Sequence, residues 1–151
     1  RAKDKSFNAD FEVIADANLP KANVVPQDMG RVLLNLINNA FWAVNERANK
    51  DKGDVKKEAG SDLLYKPKVT IITQLIANSS ILITVKDNGS GITQQNIDKI
   101  FQPFFTTKPT GQGTGLGLSI TFGIIEKHKG KIEVNSEIGK GTEFHIYLPI
   151  N

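Results

Sequence analysis

Between Asp87 and Ser119 the chain reads DNGSGITQQNIDKIFQPFFTTKPTGQGTGLGLS, and this stretch constrains the fold more than any other. It holds two glycine-rich loops, one short amphipathic segment and a Phe-Pro-Phe turn. Almost nothing apolar separates Phe105 from Leu116. Ordering such backbone costs roughly 1–2 kcal/mol per residue and returns little burial, so something other than packing is expected to fix it. A bound, phosphate-bearing ligand is the first expectation.

The rest of the composition is compatible with that ligand. A chain of 151 residues, 39% hydrophobic and 23% charged, suits one globular domain with a single core. The net charge of +3 is small and its Lys and Arg residues are scattered, which fits a polyanionic small molecule and argues against nucleic acid as a partner. With no cysteine, disulfides and thiolate metal sites are excluded. No apolar run reaches membrane-spanning length, and the RAKDKSFNAD start lacks the apolar centre of a signal peptide. Without an initiator Met, the chain reads as a piece of a longer protein whose anchors and partner domains lie elsewhere. Residues 1–10 suit the end of a linker from a preceding helix, and 11–151 form the domain.

Phe11–Ile14 and Asn23–Val25 are β-prone, separated by Asn18-Leu19-Pro20, and Pro26 can open a helix. From Asp28 to about Glu46 the period is helical, with Met29, Val32, Leu33, Leu36, Ile37, Ala40, Phe41 and Val44 on a wide apolar stripe. The opposite stripe collects Arg31, Asn35, Asn38, Asn39, Trp42 and Glu46. Asparagine is a poor helix former, so this face reads either as a tolerant solvated surface or as a ligand face. An amide offers a carbonyl oxygen to Mg²⁺ and an NH₂ to phosphate without adding negative charge, and Asn35 and Asn39 lie one turn apart.

Residues 49–67 are polar, aperiodic and expected to form a long mobile surface loop. Lys68–Leu75 and Ser80–Lys86 alternate as a β-hairpin, with Val69, Ile71, Thr73, Leu75, Ile81, Ile83 and Val85 facing inward. Asn88-Gly89 alone would suggest a hairpin turn. Thr93, however, can cap a helix, Ile92 and Ile97 have hydrophobic-staple spacing, and Ile97, Ile100 and Phe101 supply an apolar face. The glycines are thus expected between a strand and a helix spanning Thr93–Ile100. There they let a flat ligand approach the backbone, and Asp87 offers its edge an acceptor-only carboxylate, which suits an adenine amino group better than a guanine carbonyl.

The second glycine loop runs directly into a helix expected from about Leu116 to Lys129, ending at Gly130. Free N–H groups and the positive end of the helix dipole suit an anion there, although an entropic hinge would use the same glycines. Neither the dinucleotide nor the P-loop glycine pattern fits in any register. Lys131–Ile150 reads as a terminal hairpin through a Glu137–Gly141 turn, and His128 and His145 are expected to be structural.

Four ordered stretches resemble the N box, first glycine box, F box and second glycine box of sensor histidine kinases: Asn35–Ala40, Asp87–Ile92, Phe101–Lys108 and Gly113–Ser119. The closing Gly139–Phe144 and Leu148-Pro149 also resemble that family's end. The resemblance, covering the chain from about Phe11, implies a Bergerat-type ATP-binding domain. Its fold would be a two-layer α/β sandwich, with a mixed sheet of about five strands covered on one face by about three helices.

Carried over by position, the resemblance makes Asn39 the Mg²⁺ ligand and Asn35 its neighbour on the phosphate side. Asp87 becomes the adenine-reading carboxylate, Gly89, Gly91 and Ile92 shape the base pocket, and Thr142 supports adenine through water. Residues 101–118 become the ATP lid, contributing Phe104, Thr106, Thr107, Lys108, Gly113, Thr114, Gly115, Leu116, Gly117 and Leu118, with weak order expected in the absence of nucleotide. Many relatives carry Lys or Arg where this chain has Trp42, so that cation is either missing here or supplied by Lys108 or Arg47. Hydrolytic relatives carry a general-base Glu where this chain has Asn35, which favours phosphoryl transfer over hydrolysis.

The implied function is that of a histidine kinase catalytic domain using ATP and Mg²⁺. The receiving histidine would sit on a separate helical dimerisation domain of the same kinase, and a response regulator would follow it in the cytoplasm. The fragment itself is expected to be monomeric and to belong to the cytoplasmic part of a sensor, including one anchored in a membrane elsewhere. A hydrolysing relative of the same fold, or a degenerate nucleotide-binding scaffold, are the alternatives.

Overall fold

The computed structural model describes residues 9–17, 25–53, 65–76, 80–103, 105 and 117–149. The strands are β1 (Asp10–Ala15), β2 (Lys68–Ile76), β3 (Ser80–Asp87), β4 (Lys131–Glu137) and β5 (Gly141–Pro149). The helices are α1 (Pro26–Gly53), α2 (Gln94–Ile97) and α3 (Gly117–Lys127). The five strands form one mixed sheet in the order β1-β2-β3-β5-β4, with β1 parallel to β2 and every other pair antiparallel. The parallel pair requires a crossover, which α1 provides.

Strand register converts the alternation of the sequence into rows across the sheet. Ile71, Val85, Phe144 and Val134 form one row, and Thr73, Ile83, Ile146 and Ile132 the next. Against this face lies the α1 stripe Met29, Val32, Leu36, Ala40 and Val44, all buried, joined by Ile124 and Ile125 of α3. Burial of each large side chain here stabilises the fold by about 1.5–3 kcal/mol. The predicted two-layer architecture is therefore the observed one.

The opposite sheet face carries the polar alternates. There His145 lies 3.2 Å from Thr84 Oγ1 through Nδ1 and 3.1 Å from Glu143 Oε1 through Nε2. His128 donates from Nδ1 to the Ile124 carbonyl at 2.9 Å and accepts the Val25 N–H at Nε2 at 3.0 Å. Both histidines are thus structural, and His128 ties the end of α3 to the start of α1.

Element boundaries differ from expectation in instructive places. Of the two β-prone stretches, the first is β1, whereas Val25 is non-strand and its carbonyl accepts from Met29 N at the opening turn of α1. Helix α1 continues past Glu46 to Gly53, into the expected loop, because Arg47, Ala48 and Lys50 are good helix formers even after the apolar stripe ends. Helix α2 is a single turn, capped by Thr93 Oγ1 on Asn96 N, rather than a packed helix to Ile100. Successive i→i−3 bonds from Lys99, Gln102 and Phe105 replace it, yet Ile100 still reaches the core. At the end of α3 the left-handed residue is Lys129 (φ 63°), while a side chain at Gly130 would strike the Tyr147 carbonyl.

Candidate nucleotide site

The polar end of the apolar sheet face begins with Asp87. It keeps the phase of Ile81, Ile83 and Val85, so its side chain falls on the helix-covered side, and only 6% of the residue is exposed. The register places it in a row with Val69, Thr142 and Ser136. Three neighbouring positions are thus polar where the adjacent rows are almost wholly apolar. Gly89 N–H donates to Asp87 Oδ1 at 2.8 Å, and the Thr142 backbone N–H also donates to the carboxylate. These bonds favour the charged form, but burial outweighs them and pushes the carboxyl up to about 6.

The first glycine box is held by close approach. A Cβ on Gly89 would sit 2.6 Å from Ala43 of α1, so the loop can touch that helix only as glycine. Gly91 has φ +84° and faces the Glu137 carbonyl, which a side chain would strike. Ile92 N–H donates to Ser136 Oγ at 2.7 Å, and Gly139 N–H donates to the Ser90 carbonyl at 2.9 Å. The Ser90 hydroxyl oxygen itself is buried and has no hydrogen-bond partner among the described residues.

Helix α1 connects this pocket to the start of α3. Asn35 Nδ2 donates to Gly117 O at 3.2 Å and to Thr121 Oγ1 at 3.3 Å. Ala43 meets Gly89, and Arg47 NH1 donates to Asn88 O at 3.0 Å. Asn35, Asn39, Ala43 and Arg47 are spaced by four, so they follow one another along a slowly winding row, about 6 Å per step. The half-buried Asn39 lies on that row between the Gly89 contact and the N-terminus of α3. Asn38 is exposed, which separates it from its two neighbours.

The structure brings together Asn35, Gly117, Asp87, Gly89, Gly91, Ile92 and Thr142 through the contacts above, while Leu118 packs partly against the core. Phe104, Thr106, Thr107, Lys108, Gly113, Thr114, Gly115 and Leu116, with most of the expected lid, lie outside the described residues. Arg47, one of two suggested replacement cations, stacks 4.3 Å over the Tyr65 ring and bonds to Asn88 O at the glycine-box end of the row. Half-buried Trp42 occupies α1 beside Asn39. Among the described residues, no group of three His, Asp or Glu side chains could hold a metal.

Sequence reasoning missed Ser136, Thr121 and Tyr65. Ser136 was legible as a polar residue in phase with Ile132 and Val134. Tyr65 fell in the presumed loop, although its hydroxyl donates to Asn88, 2.8 Å from O and 3.0 Å from Oδ1. Asn88 in turn takes Lys68 N–H and gives its amide to Lys66 O, so this residue of the glycine box ties the loop to β2.

Comparison with known proteins identifies the family. Sensor histidine kinase ZraS of Escherichia coli K12 is 35% identical over 137 residues, covering 91% of this chain and 25% of ZraS. Sporulation kinase E of Bacillus subtilis is 33% identical over 133 residues, covering 88% of this chain and 15% of that protein. This chain therefore spans a quarter or less of these curated relatives. The catalytic domain of histidine kinase ThkA, in a nucleotide-free form, superposes with a TM-score of 0.72 at 28% identity, over 97% of this chain and 83% of that one. Full-length ShkA in complex with AMPPNP gives a TM-score of 0.72 at 22% identity over 93% of this chain and 25% of ShkA, a likeness of fold alone. Residues 24–151 match the model described as "Histidine kinase-, DNA gyrase B-, and HSP90-like ATPase", and the chain belongs to that family.

Proposed function

We propose that this chain is the ATP-binding catalytic domain of a sensor histidine kinase, delivering the γ-phosphoryl group to a histidine on a separate helical dimerisation domain. The observation that carries the reading is the buried Asp87 carboxylate, backed by Gly89 and Thr142 at the polar end of an otherwise apolar face. Ionised, it accepts a hydrogen bond from the 6-amino group of adenine. Gly89 and Gly91 let the loop after β3 seat directly against Ala43 and the Glu137 carbonyl, which holds the backbone beside Asp87 in place for a flat base.

Toward the phosphates, Asn39 is the residue that would hold Mg²⁺. A neutral amide oxygen fits a hard cation whose remaining ligands are phosphate oxygens and water, and a local carboxylate cluster is not needed. The ion would neutralise developing charge on the transferred group. Asn35 spends its NH₂ on Gly117 and Thr121 and cannot accept a proton from water, which supports transfer over hydrolysis. A response regulator would receive the phosphoryl group next, and these steps would take place in the cytoplasm.

Reconstitution tests the reading. The chain is mixed with its helical dimerisation domain, Mg²⁺ and ATP labelled at the γ-phosphate. Acid-labile, base-stable label on that domain is expected. Phosphate release without label transfer would identify a hydrolase, and ATP binding with neither product would identify a nucleotide-binding scaffold.

A further inference from the structure

The peptide unit joining Asn88 to Gly89 is gripped at both ends. Its N–H, that of Gly89, donates to Asp87 Oδ1 at 2.8 Å. Its C=O, that of Asn88, accepts from Arg47 Nη1 at 3.0 Å and lies 2.8 Å from the Tyr65 hydroxyl. Arg47 stacks 4.3 Å over the Tyr65 ring, so the two donors hold each other in place. The Asn88 side chain ties the same residue to the start of β2, where Oδ1 accepts the Lys68 N–H at 2.9 Å and Nδ2 donates to the Lys66 carbonyl at 2.8 Å. Arg47 lies on the length of α1 beyond Val44, the last residue of its buried apolar stripe.

A peptide followed by glycine can rotate between two orientations at little cost, because glycine has no Cβ to resist the turn. Gly89 brings that freedom to the loop, and its approach to Ala43 leaves no room for a side chain that would remove it. Rotation would bring the Asn88 carbonyl toward Asp87 in place of the Gly89 N–H, setting two acceptors against each other. A guanidinium on the carbonyl oxygen opposes the rotation, since a charge-assisted hydrogen bond is about twice as strong as a neutral one. It also polarises the peptide and strengthens the N–H as a donor. We propose that Arg47 is a positioning residue that, with Tyr65, locks the Asn88–Gly89 peptide so that its N–H backs Asp87 and holds the carboxylate in one orientation for the ligand. The inference rests on the nucleotide reading and deepens it. Arg47 then serves the site through this peptide and not by touching phosphate.

Amide hydrogen exchange followed by NMR, together with titration calorimetry using AMP and ADP, tests this on the wild type, Arg47→Ala, Arg47→Lys and Tyr65→Phe. In Arg47→Ala, exchange at the Gly89 amide is expected to accelerate about tenfold more than at Ile125, whose amide in buried α3 reports opening of the core. AMP and ADP affinities should fall by one common factor, about fivefold, the worth of roughly one hydrogen bond. Arg47→Lys returns the charge without the planar fork and should recover part of both effects. Tyr65→Phe removes one hydroxyl and should show both more weakly. A larger loss for ADP than for AMP would make Arg47 a phosphate contact, and Gly89 exchange that accelerates no more than that of Ile125 would make it merely structural. Either result overturns the proposal. Should Arg47→Ala not fold, Arg47→Lys must show the same even loss and the same preferential exchange at Gly89. A wild type that binds no ADP would overturn the nucleotide reading and this inference together, whereas normal ADP binding by every variant overturns this inference alone.

Discussion

Replacing Asp87 by Asn should separate the stability of the domain from its ligand binding, in opposite directions. Burial raises the carboxyl from its ordinary 3.8 to about 6, so the folded state holds a proton that the unfolded chain releases. Between those values the folded state binds more protons, and stability increases as pH falls. At about 1.36 kcal/mol per pH unit, the ionised carboxylate costs the fold about 3 kcal/mol above pH 7 and less than about 1 kcal/mol near pH 4. Asparagine carries no such charge, but one side of its amide would turn an NH₂ toward either the Gly89 or the Thr142 N–H, forfeiting about 1 kcal/mol of the gain. Urea unfolding at pH 7.5 should therefore find Asp87→Asn more stable than wild type by about 1–2 kcal/mol. The advantage should shrink, and then reverse, on approach to pH 4. Calorimetry at pH 7.5 should find ADP affinity at least tenfold weaker in the variant, and wild-type affinity should decline below pH 6 as Asp87 takes a proton. A stability difference between the two proteins that stays constant from pH 4 to 7.5 would refute the argument, whatever happens to binding.

Three further outcomes are expected. Gly91→Ala combines a positive φ with a strike on the Glu137 carbonyl and should cost more than about 2 kcal/mol, read as a lowered thermal midpoint. Lys129→Gly relieves a left-handed lysine at the end of α3 and should add about 1 kcal/mol in urea unfolding without changing nucleotide affinity. Asn39→Asp places a negative charge where the proposed function puts the phosphates, so ADP affinity in EDTA should fall several-fold, with part of the loss recovered in excess Mg²⁺, as calorimetry with and without the metal would show.

Much of this architecture was readable in the residues because alternation and helical period act locally. The β2–β3 and β4–β5 hairpins and the apolar stripe of α1 follow from spacing alone, and so does the inward phase of Asp87. What escaped depended on contacts made at a distance. Nothing near Ser136 in sequence reveals that Ile92, 44 residues earlier, gives it an N–H. Likewise, helix geometry gave the direction of Asn35 but not its neighbours, and its NH₂ bonds to Gly117 and Thr121, 82 and 86 residues away. The overlong loop and the overlong second helix share one cause: apolar pattern does not set helix ends, and α1 runs on past its apolar stripe while tight i→i−3 turns take over from α2 after one turn.

The row of Asn35, Asn39, Ala43 and Arg47 makes α1 the gauge block of the molecule. Because one unbroken helix touches the glycine box at one level and the start of α3 two steps away, the spacing between them is set by helical rise, at about 12 Å, and not by loop conformation. A single residue inserted between Asn39 and Ala43 would swing one end about 100° relative to the other, while an insertion of four would nearly restore the direction and lengthen the gauge by about 6 Å.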